Sequence, residues 1–119
     1  MPQIRVEYSA NLGTAFNARA FVGAMHDRVV EIVGSELAAC KTRLVALDNW
    51  YIGDGAEDHA MIHVDLRILS GRADEQKTRL GEAVLAAAVA ATDKPPRLKL
   101  QITVEIGELD RDHYHKRAL

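Results

Sequence analysis

The spacing of apolar residues along this chain switches from the two-residue period of a β-strand to the three- and four-residue spacing of an α-helix, and then back. Apolar and polar residues alternate over about 4 to 8, which predicts a first strand. Helical spacing follows over about 16 to 33 and ends at Gly34, a residue type that often terminates helices. Alternation returns over about 42 to 47. The first half of the chain therefore predicts a β-α-β unit.

The second half repeats this order. Alternation over about 61 to 68 predicts a third strand, and helical spacing over about 72 to 92 predicts a second helix, which the run Lys94-Pro95-Pro96 ends. The clearest alternation of all, over about 98 to 106, predicts the last strand. The chain thus predicts two successive β-α-β units.

Two right-handed β-α-β units placed side by side form an α/β fold with a four-stranded sheet and both helices on one face. We expect a single domain over 1–119, with related halves over about 2–52 and 58–109. Because each strand alternates, its second face is mixed rather than apolar, unlike the strands of a sheet covered by helices on both sides. That face is expected to meet solvent, a site or other subunits.

The charges and the single cysteine exclude several classes of protein. Among 119 residues, 15 Lys and Arg are interspersed with 17 Asp and Glu, so no basic surface indicates nucleic acid or a membrane, and small polar metabolites are expected. The longest apolar stretch, Ala83 to Ala91, is far shorter than the roughly 20 residues of a membrane span. Cys40 is alone, which rules out an internal disulfide and fits a cytoplasmic protein.

Pro2 is the first candidate for a catalytic group. Removal of the initiator Met1 would leave its nitrogen as a free secondary amine. The reference pKa of an α-amino group is near 8, and burial or nearby cations would lower it toward the value that a general base needs at neutral pH. With Met1 attached, the nitrogen is a tertiary amide without basicity. A Met-Pro start also has a structural explanation, since proline suits the first position of a strand.

Segments spread over nearly the whole chain resemble one known family. They are Met1-Pro2, Val6-Glu7-Tyr8-Ser9-Ala10-Asn11, Thr42-Arg43 through Asp54-Gly55, His59-Ala60 with His63, Ser70-Gly71-Arg72, Leu80-Gly81-Glu82 and Val104-Glu105-Ile106-x-Glu108-Leu109. Together they resemble 5-carboxymethyl-2-hydroxymuconate isomerase of the tautomerase superfamily. The resemblance implies two β-α-β units per subunit, assembly as a homotrimer and a reaction without a cofactor.

The resemblance also implies a reaction and a place for Pro2 in it. In this family the N-terminal proline moves a proton between oxygen and carbon of a 2-hydroxymuconate-type diacid, which converts the conjugated dienol to an isomeric 2-oxo acid. Pro2 occupies that position. The expected function is that of a 5-carboxymethyl-2-hydroxymuconate delta-isomerase in aromatic catabolism, and the expected partner is a small dicarboxylate or unsaturated oxo acid.

A dianionic substrate requires cations, and arginine binds carboxylates with strong, directional pairs. Arg72, at the family's Gly-Arg position, and Arg43 are the first candidates for substrate binding. Lys41 is the third, and it stands where the family carries an arginine two residues before Arg43. Lysine keeps the charge but lacks the two-pronged guanidinium, so recognition of the acid could be weaker, move to Arg43 or favour a different acid.

Two other functions remain open at this stage. A cationic prolinium acting as an acid would suit hydration, dehalogenation or decarboxylation of unsaturated acids, and a catalytically silent trimer that binds a protein or a small acid is the non-enzymatic alternative. No metal site is expected. His59 and His63 lie roughly 13 Å apart along one predicted strand, too far to share an ion.

Overall fold

The computed structural model describes residues 1–119, and its elements follow the order β-α-β-β-α-β. The strands are β1 (Gln3–Ser9), β2 (Lys41–Leu47), β3 (His59–Leu69) and β4 (Lys99–Leu109), and the helices are α1 (Ala18–Val33) and α2 (Asp74–Ala90). All six elements lie where the apolar spacing predicts them. Three short 3-10 helices, Ala10–Ala15, Leu37–Ala39 and Arg111–His113, were not predicted, because a single turn is too short to show a periodic pattern.

The four strands form one mixed sheet in the order β2-β1-β3-β4. Each β-α-β unit pairs its own strands in parallel, β1 with β2 and β3 with β4, and the two units join where β1 runs antiparallel to β3. This arrangement confirms the predicted α/β fold of two β-α-β units. It also makes β1 an inner strand, so the chain start lies between strands from both halves.

Both helices pack on one face of the sheet, as predicted. The side chains of α1 that are buried recur every fourth residue, and those of α2 do the same: Phe21, Met25, Val29, Val33, Leu80, Val84 and Ala88. They contact the inward-facing residues of β1 and β3 in one hydrophobic core. Burial of a side chain as large as Phe21 contributes roughly 1.5–3 kcal/mol to stability. Helical spacing and strand alternation together determine which face of each element is buried in this core.

Helix α1 begins two residues after the predicted start at 16 and ends at 33 as predicted, and the reason for both boundaries is local. Asn17 precedes the helix, and its side-chain Oδ1 accepts a hydrogen bond from the Ala20 amide at 3.2 Å. At the other end Gly34 adopts a left-handed conformation (φ 71°), and its amide donates to the Val30 carbonyl. A side chain cap and a left-handed glycine are common helix boundaries. Neither α1 nor α2 combines the length and apolar character needed to cross a membrane.

Candidate active site

The chain start is buried at the edge of the core. Pro2 is buried and Met1 is half-buried, and the Pro2 carbonyl accepts a hydrogen bond from the Lys41 amide at 3.2 Å. This bond is the first of the pairing between β1 and β2, in which Gln3 lies opposite Lys41. The pairing of β1 with β2 therefore determines the position of Pro2.

Three cations lie close enough to the terminal amine, which in the full chain belongs to Met1, to affect its pKa. Burial lowers the pKa of this amino group below its ordinary value, and the charges of Arg72, Lys41 and Lys116 lower it further, against an opposing effect of Cys40. A lowered pKa means that more of the amine is unprotonated at neutral pH, as a general base requires. The structure thus brings two of the predicted cations, Arg72 and Lys41, to the chain start.

Arg72 reaches this region from the loop between β3 and α2. Its guanidinium Nη2 donates to the carbonyl of Val33, the last residue of α1, at 3.2 Å. One turn further along, Gln76 Nε2 donates to the Ile32 carbonyl at 3.3 Å. The last carbonyls of a helix have no partner within the helix and carry its partial negative charge, so a cation there is favourable. Arg72 is therefore held at the end of α1, and from there its charge acts on the terminal amine.

Lys41 and Arg43 lie on the same strand but have different surroundings. The Lys41 ammonium donates to the Ala39 carbonyl at 3.1 Å, close to the terminal amine. Arg43 donates instead to the side-chain oxygen of Gln3, and with Gln3 and Arg67 it lines a shallow depression of about 210 Å³ on the open face of the sheet. Arg43 is not among the charges that act on the amine. The predicted set is thus divided between two places.

The C-terminal tail, residues 110–119, approaches the chain start, which the sequence did not predict. Tyr114 accepts a hydrogen bond from Gln3 Nε2 at 2.8 Å, and the ammonium nitrogen of Lys116 lies 3.7 Å from the sulfur of Met1. No periodicity or motif marks these residues. Their only signal in the sequence is one tyrosine and one lysine in a short tail that also contains two arginines, two histidines and two aspartates.

Pro2 does not line any of the clefts of the single chain. The largest, about 460 Å³, lies between α1 and β2, where His26 Nε2 and Thr42 Oγ1 are 2.7 Å apart. Another, of about 330 Å³, is lined in part by Asn11 and Trp50 at the opposite end of β1. None of the five clefts has Pro2 in its lining. One chain by itself does not enclose a chamber around its terminal amine.

The remaining candidate groups have partners that explain them. His59 Nε2 lies 3.1 Å from Asp54 Oδ1, and His63 Nδ1 lies 2.7 Å from Thr103 Oγ1. No three His, Cys, Asp or Glu side chains are grouped closely enough to hold a metal ion. Burial raises the pKa of the Cys40 thiol, which disfavours the reactive thiolate form.

Residues 2–118, nearly the whole chain, match the sequence model of the family described as 5-carboxymethyl-2-hydroxymuconate isomerase. The chain belongs to this family. The 5-carboxymethyl-2-hydroxymuconate Delta-isomerase of Escherichia coli is 28% identical to it over 82 residues, which are 69% of this chain and 65% of the relative. The match therefore spans slightly less than two thirds of the length of that relative.

Solved structures show that this isomerase-family chain shares its fold with other proteins. A 5-carboxymethyl-2-hydroxymuconate isomerase from Deinococcus radiodurans R1 superposes with a TM-score of 0.84 at 22% identity, over 98% of this chain and 88% of that one. The fused 4-OT protein W0, a symmetric trimer, superposes with a TM-score of 0.76 at 17% identity, over 96% and 92% of the two chains. These likenesses confirm the predicted tautomerase-like architecture.

In this member of the isomerase family, the chain start combines a basic nitrogen with cations that lack acidic partners. None of the eight ion pairs in the chain includes Lys41, Arg72 or Lys116. Cations without acidic partners can bind carboxylates, and the amine beside them can accept a proton. The arrangement suits binding an organic acid next to a base.

Proposed function

We propose that this protein is a cofactor-independent keto-enol isomerase that acts on a 2-hydroxymuconate-type unsaturated acid, with Pro2 as its general base. The observation that carries the proposal is the convergence of Arg72 and Lys41 on the buried chain start, where burial and positive charge lower the pKa of the terminal amine. Membership of the 5-carboxymethyl-2-hydroxymuconate isomerase family supports the reaction type. The specific substrate we propose is 5-carboxymethyl-2-hydroxymuconate, in aromatic catabolism.

The proposed reaction begins when Met1 is removed and Pro2 becomes a secondary amine. The terminal nitrogen then moves by about one residue, roughly 3.8 Å between α-carbons, so the same cations remain close to it. The unprotonated Pro2 nitrogen takes the proton of the enol hydroxyl, the oxygen becomes a ketone, and the double bonds shift along the chain of the substrate. Pro2 then returns the proton to a substrate carbon. No atoms are gained or lost, so no co-reactant is needed.

Arg72 and Lys41 are proposed to bind the acid groups of the substrate. Arg72 can present two parallel donors to a carboxylate, whereas Lys41 acts as a single point of charge. Arg43 was also predicted to bind substrate, and it could do so only from the open face of the sheet, where its side chain donates to Gln3. We therefore assign the main binding role to Arg72, with Lys41 second and Arg43 third.

We further propose that the protein assembles as a homotrimer and works in the cytoplasm. The fused 4-OT protein W0, which shares the fold, is a symmetric trimer. In a single chain no cleft surrounds Pro2, and each outer strand of the sheet, β2 and β4, has one edge without a neighbouring strand. Neighbouring subunits could cover such edges and close a chamber. Light scattering after gel filtration would give the number of subunits.

The test compares two samples that differ only at the chain start. One has a free Pro2, verified by mass, and the other keeps Met1 or carries an N-terminal extension. We expect the first sample to convert 2-hydroxymuconate-type dienols between about pH 6 and 8, and the reaction can be measured as the loss of the absorbance of the conjugated dienol. We expect the second sample to be inactive because its proline nitrogen is an amide. Absence of conversion by the verified Pro2 sample would refute the proposal.

Titration of the free Pro2 nitrogen, for example by ¹⁵N NMR, distinguishes the alternatives. A pKa near or below neutrality agrees with a base, and the lowered pKa of the terminal amine supports that outcome. A pKa well above neutrality would favour a prolinium acid and hence hydration, dehalogenation or decarboxylation. Binding of a dicarboxylate without any turnover would favour the silent binding protein.

A further inference from the structure

We propose that Lys116 is a substrate-binding residue of this site, and that the C-terminal tail brings it there to hold a carboxylate of the diacid. This inference rests on the proposed function, because it concerns the acid that Pro2 would isomerise. The observation behind it is the position of the Lys116 ammonium, 3.7 Å from the sulfur of Met1 although the two residues are 115 positions apart in the chain.

The tail is attached to the fold at two points before it reaches the chain start. Just after β4, the Arg111 side chain donates through Nε to the Ser70 carbonyl at 3.0 Å, and its amide donates to the Ser70 hydroxyl at 3.2 Å. The tail then places Tyr114 against Gln3, whose Nε2 donates to the phenol oxygen at 2.8 Å. Since Ser70 lies two residues before Arg72 and Gln3 follows Pro2, both attachments lie beside proposed site residues.

The Lys116 ammonium has no strong acceptor in the chain. Its hydrogen-bond partner is the thioether sulfur of Met1, which is a weak acceptor, and no carboxylate lies within ion-pair distance. By contrast, the exposed Lys99 has an acidic partner, since its ammonium lies 3.3 Å from Asp58. Removal of Met1 would also remove the thioether and leave the ammonium without its hydrogen-bond partner, free to bind an anion near the chain start.

A third cation would help to bind the carboxylates of the proposed substrate. A 2-hydroxymuconate-type diacid carries two carboxylates, and the carboxymethyl group of 5-carboxymethyl-2-hydroxymuconate adds a third. Lys41 cannot bind a carboxylate with the paired donors that an arginine offers. Arg72 and Lys116 reach the chain start from different elements, the β3–α2 loop and the C-terminal tail. They bind different carboxylates, with Lys116 and Lys41 together holding one that Arg72 does not.

The experiment compares Lys116→Met with Arg117→Met in the full chain with a free Pro2. Methionine keeps the length and apolar stem of lysine but removes the charge, and Arg117 offers a matched control because it is exposed and carries the same charge one residue further along. For the dienol diacid we expect Lys116→Met to raise KM about tenfold with a smaller change in kcat. Lys116→Arg should restore most of the loss, and Arg117→Met should match the wild type.

A binding measurement makes the result independent of turnover. Calorimetry with adipate, a saturated six-carbon dicarboxylate, and with hexanoate, its monocarboxylate counterpart, reports whether Lys116 recognises the second carboxylate. We expect Lys116→Met to weaken adipate binding about tenfold and hexanoate binding little. Equal effects of Lys116→Met and Arg117→Met, or equal losses for both acids, would overturn the assignment. If the wild type showed no turnover, the proposed function would fail, while the adipate comparison would still decide the role of Lys116.

Discussion

Replacement of Arg72 by methionine removes two roles that this residue combines. Its guanidinium donates to the Val33 carbonyl at the end of α1, and its charge acts on the terminal amine. A hydrogen bond to a charged group contributes about 1.5–3 kcal/mol, and partial exposure of Arg72 reduces that range. We therefore expect Arg72→Met to lower the free energy of unfolding by about 1 kcal/mol, or roughly 4 °C in Tm for a chain of this size.

The catalytic loss should be larger than the loss of stability. An arginine that binds a substrate carboxylate makes a charge-assisted pair of about 1.5–3 kcal/mol, which corresponds to roughly a 10- to 100-fold decrease in kcat/KM when it is removed. Arg72→Lys should recover part of this decrease because it keeps the charge. The assay is the conversion of a dienol diacid by chain with a free Pro2, alongside urea unfolding of the same samples.

Gln76→Ala is the matched control for the structural role. Gln76 donates to the Ile32 carbonyl one residue before Val33, and it carries no charge. We expect this variant to lose about 1 kcal/mol of stability and to keep its activity. The reasoning would be refuted if Arg72→Met and Gln76→Ala lowered stability and kcat/KM alike, because Arg72 would then act only through the helix end.

Three further predictions concern the fold. Gly23 lies exposed within α1, where an added Cβ would meet nothing within 4 Å, so Gly23→Ala should raise the free energy of unfolding by about 0.5–1 kcal/mol. Gly34→Ala should instead lower it by about 1 kcal/mol, because φ at this position is 71°. Urea midpoints of the two variants that shift in the same direction would contradict this. Ser9 is fully buried, and its hydroxyl accepts a hydrogen bond from the Met61 amide at 3.0 Å. Ser9→Ala should therefore lower the free energy of unfolding by about 1–3 kcal/mol. A decrease below about 0.5 kcal/mol would show that the amide finds another partner. Burial lowers the pKa of His26 below its ordinary 6.5, so the folded state resists protonation and stability should fall as the pH drops below about 6.5. His26→Gln should reduce this pH dependence in unfolding curves measured between about pH 5 and 8. If the free energy of unfolding of the variant changed with pH as steeply as that of the wild type, His26 would be ruled out as the source.

The elements of the fold could be predicted from the sequence because their signal is local. Apolar residues alternate with polar ones along a strand and recur every three or four residues along a helix. The sequence of each element by itself therefore shows which of its faces is buried. The pairing of halves into two β-α-β units followed from the order of those elements and from the handedness of the crossover. Pro2 could be predicted as a site residue from its place at the chain start and from the family resemblance, and Arg72 from its place in a matching motif.

Only the tertiary structure decided which cations lie near the terminal amine. Arg43 and Lys41 share a strand and a charge, yet one donates to Gln3 on the open face of the sheet and the other lies near the chain start. Lys116 lies beside Met1 because the tail folds back after β4, and no local pattern encodes that path. Periodicity reports which face of an element is buried, whereas contacts between residues more than a hundred positions apart depend on strand order and on how the chain ends pack, which no short stretch of sequence contains.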